Sequence, residues 1–283
     1  MDIRNFLVAL KIVSRLNIKK QWEVFNENRT IKMASFKERI NCCNCLTPKQ
    51  KLETNNLYDQ QNKFIKINKE FGGILTIVDS KFPKQLREIY CPPIVLFYRG
   101  DISILNTYLA SIVGARDCSN YGKRVLLALI PQITPYLTIV SGLAKGVDCM
   151  AHEYTINNGG KTVAVIGTGL NQIYPKSNSK LQDIIAQKHL LITEYPLYAK
   201  PLRHHFVERN RIIAGISAST TVVEARKQSG SLITANFALS ENRNVLAVPG
   251  EIFSETSQGT NDLIQAGARP LISLEDILEE SII

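Results

Sequence analysis

Residues 137–169, LTIVSGLAKGVDCMAHEYTINNGGKTVAVIGTG, decide the fold class. Residues 137–140 and 162–166 are apolar runs without polar alternation, which is typical of strands that are buried on both faces. The segment between them, residues 147–156, has the length and pattern of a helix. A strand, a helix and a second strand in this order predict a parallel sheet with helices packed on it.

The same alternation continues on both sides of this stretch. Further strands are predicted at residues 74–78, 94–98, 110–113, 190–193, 220–223 and 245–248, and further helices at residues 122–130, 180–188, 231–240, 261–266 and 274–282. We therefore predict an α/β protein built on an extended Rossmann-like, doubly wound, mostly parallel sheet.

The first 70 residues have a different composition. They are rich in Lys, Asn, Gln and Glu, lack a strand-like run, and contain short helical patterns at residues 3–16 and 22–25. We predict a small helical domain over residues 1–70 and the Rossmann-like domain over residues 71–283. Lys11 interrupts the best candidate for a signal peptide, and no stretch approaches the ~18 apolar residues of a membrane span. We therefore expect a cytoplasmic protein without a membrane partner.

The six cysteines form neither a disulfide framework nor a complete metal pattern. Cys42 and Cys45 are a C-x-x-C pair beside Cys43, but no second pair and no nearby histidine completes a zinc set. We expect reduced thiols and no metal or other cofactor.

Charge is distributed unevenly along the chain. The formal net charge is +9, whereas residues 241–283 carry 2 basic and 8 acidic side chains. A basic body attracts polyanions such as nucleic acid, and an acidic end is better suited to a protein partner. Solubility alone explains the net charge equally well.

Four loops that follow predicted strands are rich in Gly, Ser, Arg and Lys: residues 114–116, 141–146, 167–176 and 224–231. The carboxyl ends of parallel strands meet at one edge of a sheet, so these loops converge there. A single glycine turn usually reflects turn geometry. Four such loops with basic residues favour phosphate binding by backbone N–H groups, helix N-termini and cationic side chains.

Nucleotide and enzyme motifs are incomplete. Residues 167–172 lack the third glycine of G-x-G-x-x-G, and residues 141–148 lack the order of a phosphate-binding ATPase loop. Asp148 and His152 have a spacing that more often stabilises a helix than pairs an acid with a base. Glu224 ends a strand at the rim, and both a catalytic base and an anchor for a neighbouring basic side chain remain open roles for it.

Residues 201–215 mix three arginines and two histidines with Asn210 and Phe206. Arginine binds phosphate and aromatic rings stack on unpaired bases, which is how single strands are held without sequence readout. The alternative is the start of a surface helix with a buried Phe206.

Five motifs, at residues 140–148, 164–170, 174–176, 209–215 and 229–234, resemble in order and spacing those of the DNA-processing protein A family (DprA, also Smf). The resemblance runs from about residue 72 to the end, and residues 1–70 loosely resemble the sterile-alpha-motif-like extension of some members. It implies a homodimeric protein that binds single-stranded DNA, protects incoming DNA and loads the RecA recombinase during natural transformation. It implies no established enzyme activity.

The resemblance and the composition of the rim together select the candidate site. The candidate DNA-binding residues are Gly114, Arg116, Gly142, Lys145, Lys176, Arg203, Phe206, Arg209, Asn210, Arg211, Gly230 and Ser231. The candidate residues for a partner or dimer surface in the acidic end are Leu263, Ile264, Glu275 and Glu279. The alternative function is a Rossmann-type nucleotide or nucleoside-phosphate hydrolase at the same rim, although residues 229–234 have no acidic residue close by.

Overall fold

Nine strands of the computed structural model, which describes residues 1–282, form one sheet. The strands are β1 (Gly73–Thr76), β2 (Val95–Gly100), β3 (Leu109–Val113), β4 (Thr138–Ser141), β5 (Thr162–Ile166), β6 (Leu190–Thr193), β7 (Ser219–Val222), β8 (Asn244–Ala247) and β9 (Arg269–Pro270). Their spatial order is β1-β2-β6-β5-β4-β3-β7-β8-β9. In this spatial order, all neighbouring strands from β6 through β5, β4, β3, β7 and β8 to β9 are parallel, while β2 pairs antiparallel with β1 and with β6. The predicted mostly parallel sheet is therefore confirmed.

Helices connect and cover these strands. They are α1 (Ile3–Val13), α2 (Ile18–Asn28), α3 (Phe36–Asn41), α4 (Pro48–Gln60), α5 (Asn62–Phe71), α6 (Lys84–Glu88), α7 (Asn120–Ile133), α8 (Val147–Asn157), α9 (Ser179–Lys188), α10 (Arg203–Ile216), α11 (Gly230–Ser240), α12 (Gln258–Gln265) and α13 (Leu274–Ser281). The chain winds from β3 to β6 in one direction and continues from β7 in the other, so the order reverses between β3 and β7.

The two faces of the sheet bury alternate residues of the same strands. Ile112 and Ile139 face a cluster formed with α7, α8 and α13, whereas Val113 and Val140 face the larger core on the opposite side. Residues of β3 to β7 are buried throughout. Burial on both faces is the physical reason why these strands read as uninterrupted apolar runs in the sequence.

The N-terminal helices pack against the antiparallel edge of the sheet. Phe6 and Leu10 of α1 lie in the same core as Leu75 of β1 and Val95 of β2. Helix α5 ends at Phe71, close to the domain boundary that the composition predicts. The division into a helical domain over residues 1–70 and a Rossmann-like domain over residues 71–283 stays a prediction, because these helices share a core with the sheet.

Some elements have no clear signal in the sequence. Helices α3, α4, α5 and α6 and strand β9 were not predicted from the sequence, and only the centre of α2 was. In α4 a single residue, Thr54, is buried, so this helix has almost no apolar periodicity. Within residues 1–282 no helix is both long enough and apolar enough to cross a bilayer, and the six cysteines are free thiols.

Candidate nucleic-acid interface

The loops after β3 and β4 touch where α8 begins. Val147 N donates a hydrogen bond to Ala115 O at 3.1 Å. Gly146 has a φ of +74°, and a Cβ at this position would lie 2.3 Å from Ala115 O, so only glycine allows this approach. Arg116 and Lys145 are exposed on these touching loops, and neither forms an ion pair within residues 1–282.

The segment after β5 lies against the β4 loop. Asn178 Nδ2 donates hydrogen bonds to Leu143 O at 3.1 Å and to Ala144 O at 3.3 Å. Exposed Lys176 therefore lies on a segment that is fixed next to the loop of Lys145. The structure brings these predicted cationic residues together on one edge.

Arg209 lies beneath this edge rather than on it. It is 5% exposed, and its guanidinium donates to Gly142 O and Val165 O, which joins the β4 loop to β5. Burial lowers the pKa of Arg209 to about 10, although the charge of Asp148 opposes this shift. A Cβ at Gly142 would lie 2.4 Å from Arg209 Nη1, so Gly142 makes room for Arg209. Direct phosphate contact by Arg209 does not fit this geometry.

Arg211 is also turned inward. Its Nη2 binds the Glu194 carboxylate at the end of β6, and Lys11 Nζ of α1 binds the same carboxylate at 3.0 Å. Burial raises the pKa of Glu194, but the charges of Arg211 and Lys11 outweigh burial and lower it overall. Direct phosphate contact therefore does not fit Arg211 either, because its charge is engaged inside the protein.

An aromatic pair lies at the edge beside α10. The rings of Tyr174 and Phe206 are 5.1 Å apart, Phe206 is half-buried, and Tyr174 is 43% exposed. A Cβ at Gly167 would lie 2.9 Å from Phe206 Cδ1, so this glycine lets the ring approach the β5 loop. Phe206 was predicted from the sequence as a DNA-binding residue and Tyr174 was not, although Tyr174 lies two positions before the predicted Lys176. Arg203 is exposed and lies one turn before Phe206 on the same face of α10, so a cation accompanies the two rings.

The start of α11 forms the other end of the rim. Gly230 has open space where a Cβ would lie, and Asn210 Nδ2 donates to Gly230 O at 3.3 Å. Ser229 precedes α11 without a side-chain cap, and its Oγ lies 2.9 Å from Ser231 Oγ. An uncapped helix N-terminus presents backbone N–H groups and a partial positive charge to an anion.

Glu224 occupies the point where the strand order reverses, between β3 and β7. It is buried; its carboxylate accepts hydrogen bonds from Ser119 N at 2.9 Å and from Ser119 Oγ, and Thr256 Oγ1 lies 3.3 Å away. Ser119 is the N-cap of α7, and its Oγ accepts hydrogen bonds from Tyr121 N and Gly122 N, so this helix start is capped by Ser119 and backed by a carboxylate of the protein itself. Nucleotides bind at this point in doubly wound sheets. Glu224 is better described as an internal anchor than as a base that faces a substrate.

Asp148 and His152 do not form an acid–base pair. His152 is buried with Nδ1 at 2.6 Å from Thr162 Oγ1, and burial lowers its pKa to about 3. Asp148 accepts a hydrogen bond from Ala144 N at 3.4 Å. Both side chains serve the packing of α8.

A sequence profile described as DNA recombination-mediator protein A matches residues 73–281. The chain belongs to the DNA recombination-mediator protein A family.

Other members of the DNA recombination-mediator protein A family match over most of their length. DNA processing protein DprA from Streptococcus pneumoniae is 45% identical over 216 residues, which cover 76% of this chain and 77% of that protein. DprA from Bacillus subtilis is 41% identical over 233 residues, covering 81% and 78%. These identities confirm the resemblance that the five motifs indicated.

Two solved structures extend the comparison to the fold. The X-ray structure of DprA from Streptococcus pneumoniae superposes with a TM-score of 0.92 and 37% identity over 100% of both chains. DNA processing protein A from Helicobacter pylori, studied for its single-stranded DNA binding mode, has a TM-score of 0.66 and 28% identity over 74% of this chain and 95% of that one.

The apolar residues predicted for a partner surface in the acidic end, residues 241–283, pack largely inside the protein. Leu263 is buried, Ile264 packs partly against the same core, and Ile277 of α13 is fully buried. Glu279 forms an ion pair with Arg269 at 2.7 Å, whereas Glu275 is exposed and unpaired within residues 1–282. The predicted apolar anchors are therefore only partly accessible.

Proposed function

We propose that this protein binds single-stranded DNA along the carboxyl edge of its parallel strands. The Tyr174–Phe206 ring pair supports this most strongly, because it lies beside the cationic side chains of Lys176 and Arg203. Aromatic rings stack on bases that are not paired, and the neighbouring cations attract the phosphates that connect them. The single-stranded DNA binding of the Helicobacter pylori relative is consistent with this assignment.

The proposed contacts divide into a surface set and a supporting set. The surface set is Arg116, Lys145, Lys176, Arg203, Phe206, Tyr174 and the backbone N–H groups of Gly114, Gly230 and Ser231. The supporting set is Gly142, Arg209, Asn210 and Arg211, which hold the loops and α10 from beneath. Four exposed cations predict a strong dependence of binding on salt.

A salt titration tests the phosphate contacts. Each neutralised phosphate on a single strand contributes ~0.7 to the slope of log affinity against log salt, so four contacts give a slope near ~3. Arg116→Ala and Lys176→Ala should each lower the slope by ~0.7 and weaken all sequences alike, because phosphates carry no base identity. Lys161→Ala is the matched control, since Lys161 is exposed at the opposite, amino end of β5. A flat salt plot, or equal effects in the control, would contradict the proposal.

A comparison of single-stranded with duplex DNA tests the stacking role. Base stacking on an aromatic side chain contributes ~1–3 kcal/mol per base, so Phe206→Ala should weaken single-stranded binding by roughly 5- to 150-fold. Tyr174→Ala should act in the same direction, whereas neither variant should change the weaker binding of duplex DNA. An equal loss on both forms of DNA would show that the rings only shape the loop.

We further propose that the protein forms a homodimer and, in the cytoplasm, protects incoming DNA and loads the RecA recombinase during natural transformation. In this proposal the acidic end, residues 241–283, is the contact surface for the second copy and for the recombinase. Charge supports this placement, because residues 241–283 are acidic on an otherwise basic chain. Glu275→Lys is the cleaner variant, since Glu279→Lys also breaks the ion pair with Arg269. It should leave DNA affinity unchanged and impair recombinase filament assembly or dimerisation. An unchanged molar mass together with undiminished assembly refutes the assignment to this surface.

A further inference from the structure

Three ligand-bearing side chains meet in the N-terminal helices, far from the DNA-binding rim. A carboxylate oxygen of Glu27, on α2, and the Sγ atoms of Cys43 and Cys45, in the turn between α3 and α4, lie within 4.8 Å of one another. The sequence offered two thiols without a nearby third ligand. The fold supplies the third from a separate helix.

Hydrogen bonds hold this group in place. Glu27 accepts hydrogen bonds from Asn44 N at 2.6 Å and from Cys45 N at 2.9 Å, which fixes its carboxylate over the turn. Asn28 Nδ2 lies 3.2 Å from Cys43 Sγ and donates to it, and the Cys43 thiol donates to Arg39 O at 3.1 Å, so the position of this sulfur is fixed. Cys43 is buried while Cys45 and Glu27 are half-buried, so an ion can enter from the solvent side.

The donor set selects the kind of ion. Two sulfur ligands and one carboxylate suit Zn²⁺, whereas Mg²⁺ and Ca²⁺ require oxygen ligands. A bound Zn²⁺ displaces the protons of both thiols to solvent and leaves a site of net charge −1. Lys20 Nζ, which is paired with Glu23 at 2.7 Å, also donates to Cys45 O at 2.7 Å and so lies next to the site.

We propose that Glu27, Cys43 and Cys45 bind one Zn²⁺ ion, which ties α2 to the turn between α3 and α4, with a water molecule as the fourth ligand. Three protein ligands and water are a common zinc set. This proposal departs from the expectation of no metal that was drawn from the sequence alone. It is independent of the proposed function, because none of these residues lies on the rim.

The test is a titration of the chelator-treated, full-length protein with Zn²⁺ alone, in competition with a chromophoric chelator. We expect one ion per chain, and an apparent affinity that rises roughly 100-fold between pH 6.5 and 7.5 because two protons leave. Binding should also raise the thermal unfolding midpoint. Substitution by Co²⁺ should give the near-ultraviolet charge-transfer band of thiolate ligands.

Variants separate this site from adventitious binding. Glu27→Gln and Cys45→Ser are isosteric changes at half-buried positions and should weaken Zn²⁺ binding at least tenfold while circular dichroism stays unchanged. Cys149→Ser is the matched control, because Cys149 also lies beside a carboxylate, with Sγ 3.5 Å from Glu153 Oε1, but lacks a third ligand. Equal Zn²⁺ uptake by wild type and Cys45→Ser, or a stoichiometry far below one, overturns the proposal. If Zn²⁺ uptake is lost only in His204→Ala, the ion binds elsewhere and the proposal is likewise overturned.

Discussion

Among the residues that the structure describes, Glu194 is the only acidic side chain that forms an ion pair with either of two buried cations, Lys11 and Arg211. The exposed fractions of the three side chains are 1%, 5% and 7%, respectively. Glu194→Gln preserves the shape of the side chain and removes its charge. Two cations then remain buried without a counter-ion.

The expected loss of stability is large. Removing one partner of a buried ion pair lowers the free energy of unfolding by about 3–5 kcal/mol, whereas a whole domain is stable by about 5–15 kcal/mol. Burial already lowers the pKa of Lys11, and loss of the carboxylate lowers it further. In the unfolded variant Lys11 has its ordinary pKa of 10.5, whereas in the folded variant its pKa is lower. Between these two pKa values the unfolded chain binds more protons than the folded chain, so the free energy of unfolding rises as the pH rises.

Urea unfolding of wild type and Glu194→Gln at several pH values measures this effect. The matched control is Glu88→Gln, which removes the charge of an exposed carboxylate 3.6 Å from half-buried Arg243 and should change stability by less than about 1 kcal/mol. Adding Lys11→Met to Glu194→Gln should restore part of the stability, because one uncompensated cation is gone. If Glu194→Gln unfolds within about 1 kcal/mol of wild type, the account of a buried charge cluster joining α1 to α10 is refuted.

Two further predictions concern packing around the rim. The free energy of unfolding should fall by up to about 1.4 kcal/mol per pH unit as the pH decreases from 6.5, because the unfolded chain protonates His152 whereas the folded chain keeps it neutral to about pH 3. An equally steep dependence on pH in His152→Gln contradicts this. Gly142→Ala should destabilise the protein by about 1–3 kcal/mol, because its Cβ meets Arg209, while Gly230→Ala should leave stability equal or raise it by up to about 1 kcal/mol. Thermal unfolding of the two glycine variants side by side decides this point, and equal midpoints are the contrary result.

The sheet was predictable because its strands are buried on both faces. Residues 162–166 and 190–193 were assigned as strands with the bounds that the structure shows, since continuous apolar runs of that length have few alternatives. Helix α4 was missed, because a helix that buries only Thr54 leaves no periodic signal.

The candidate site was predictable only in part. Arg209 and Arg211 belong to an arginine-rich motif that favours phosphate binding, but their partners are distant in sequence. Arg209 binds backbone carbonyls of the loop after β4 and of strand β5, and Arg211 shares a carboxylate with Lys11, which is 200 positions away. Local composition identifies a charged segment, whereas burial of each charge depends on contacts that only the fold creates.

The carboxylate of Glu224 at the start of α7 has a consequence for how DNA is released. Many proteins that move along or hand over nucleic acid time each release by nucleotide hydrolysis, which requires a phosphate at such a helix start. Here a phosphate would meet a fixed negative charge. On the proposed function, a nucleotide phosphate bound at the start of α7 therefore does not time the release of the strand, and the uncapped start of α11 is left to hold the phosphates of the DNA.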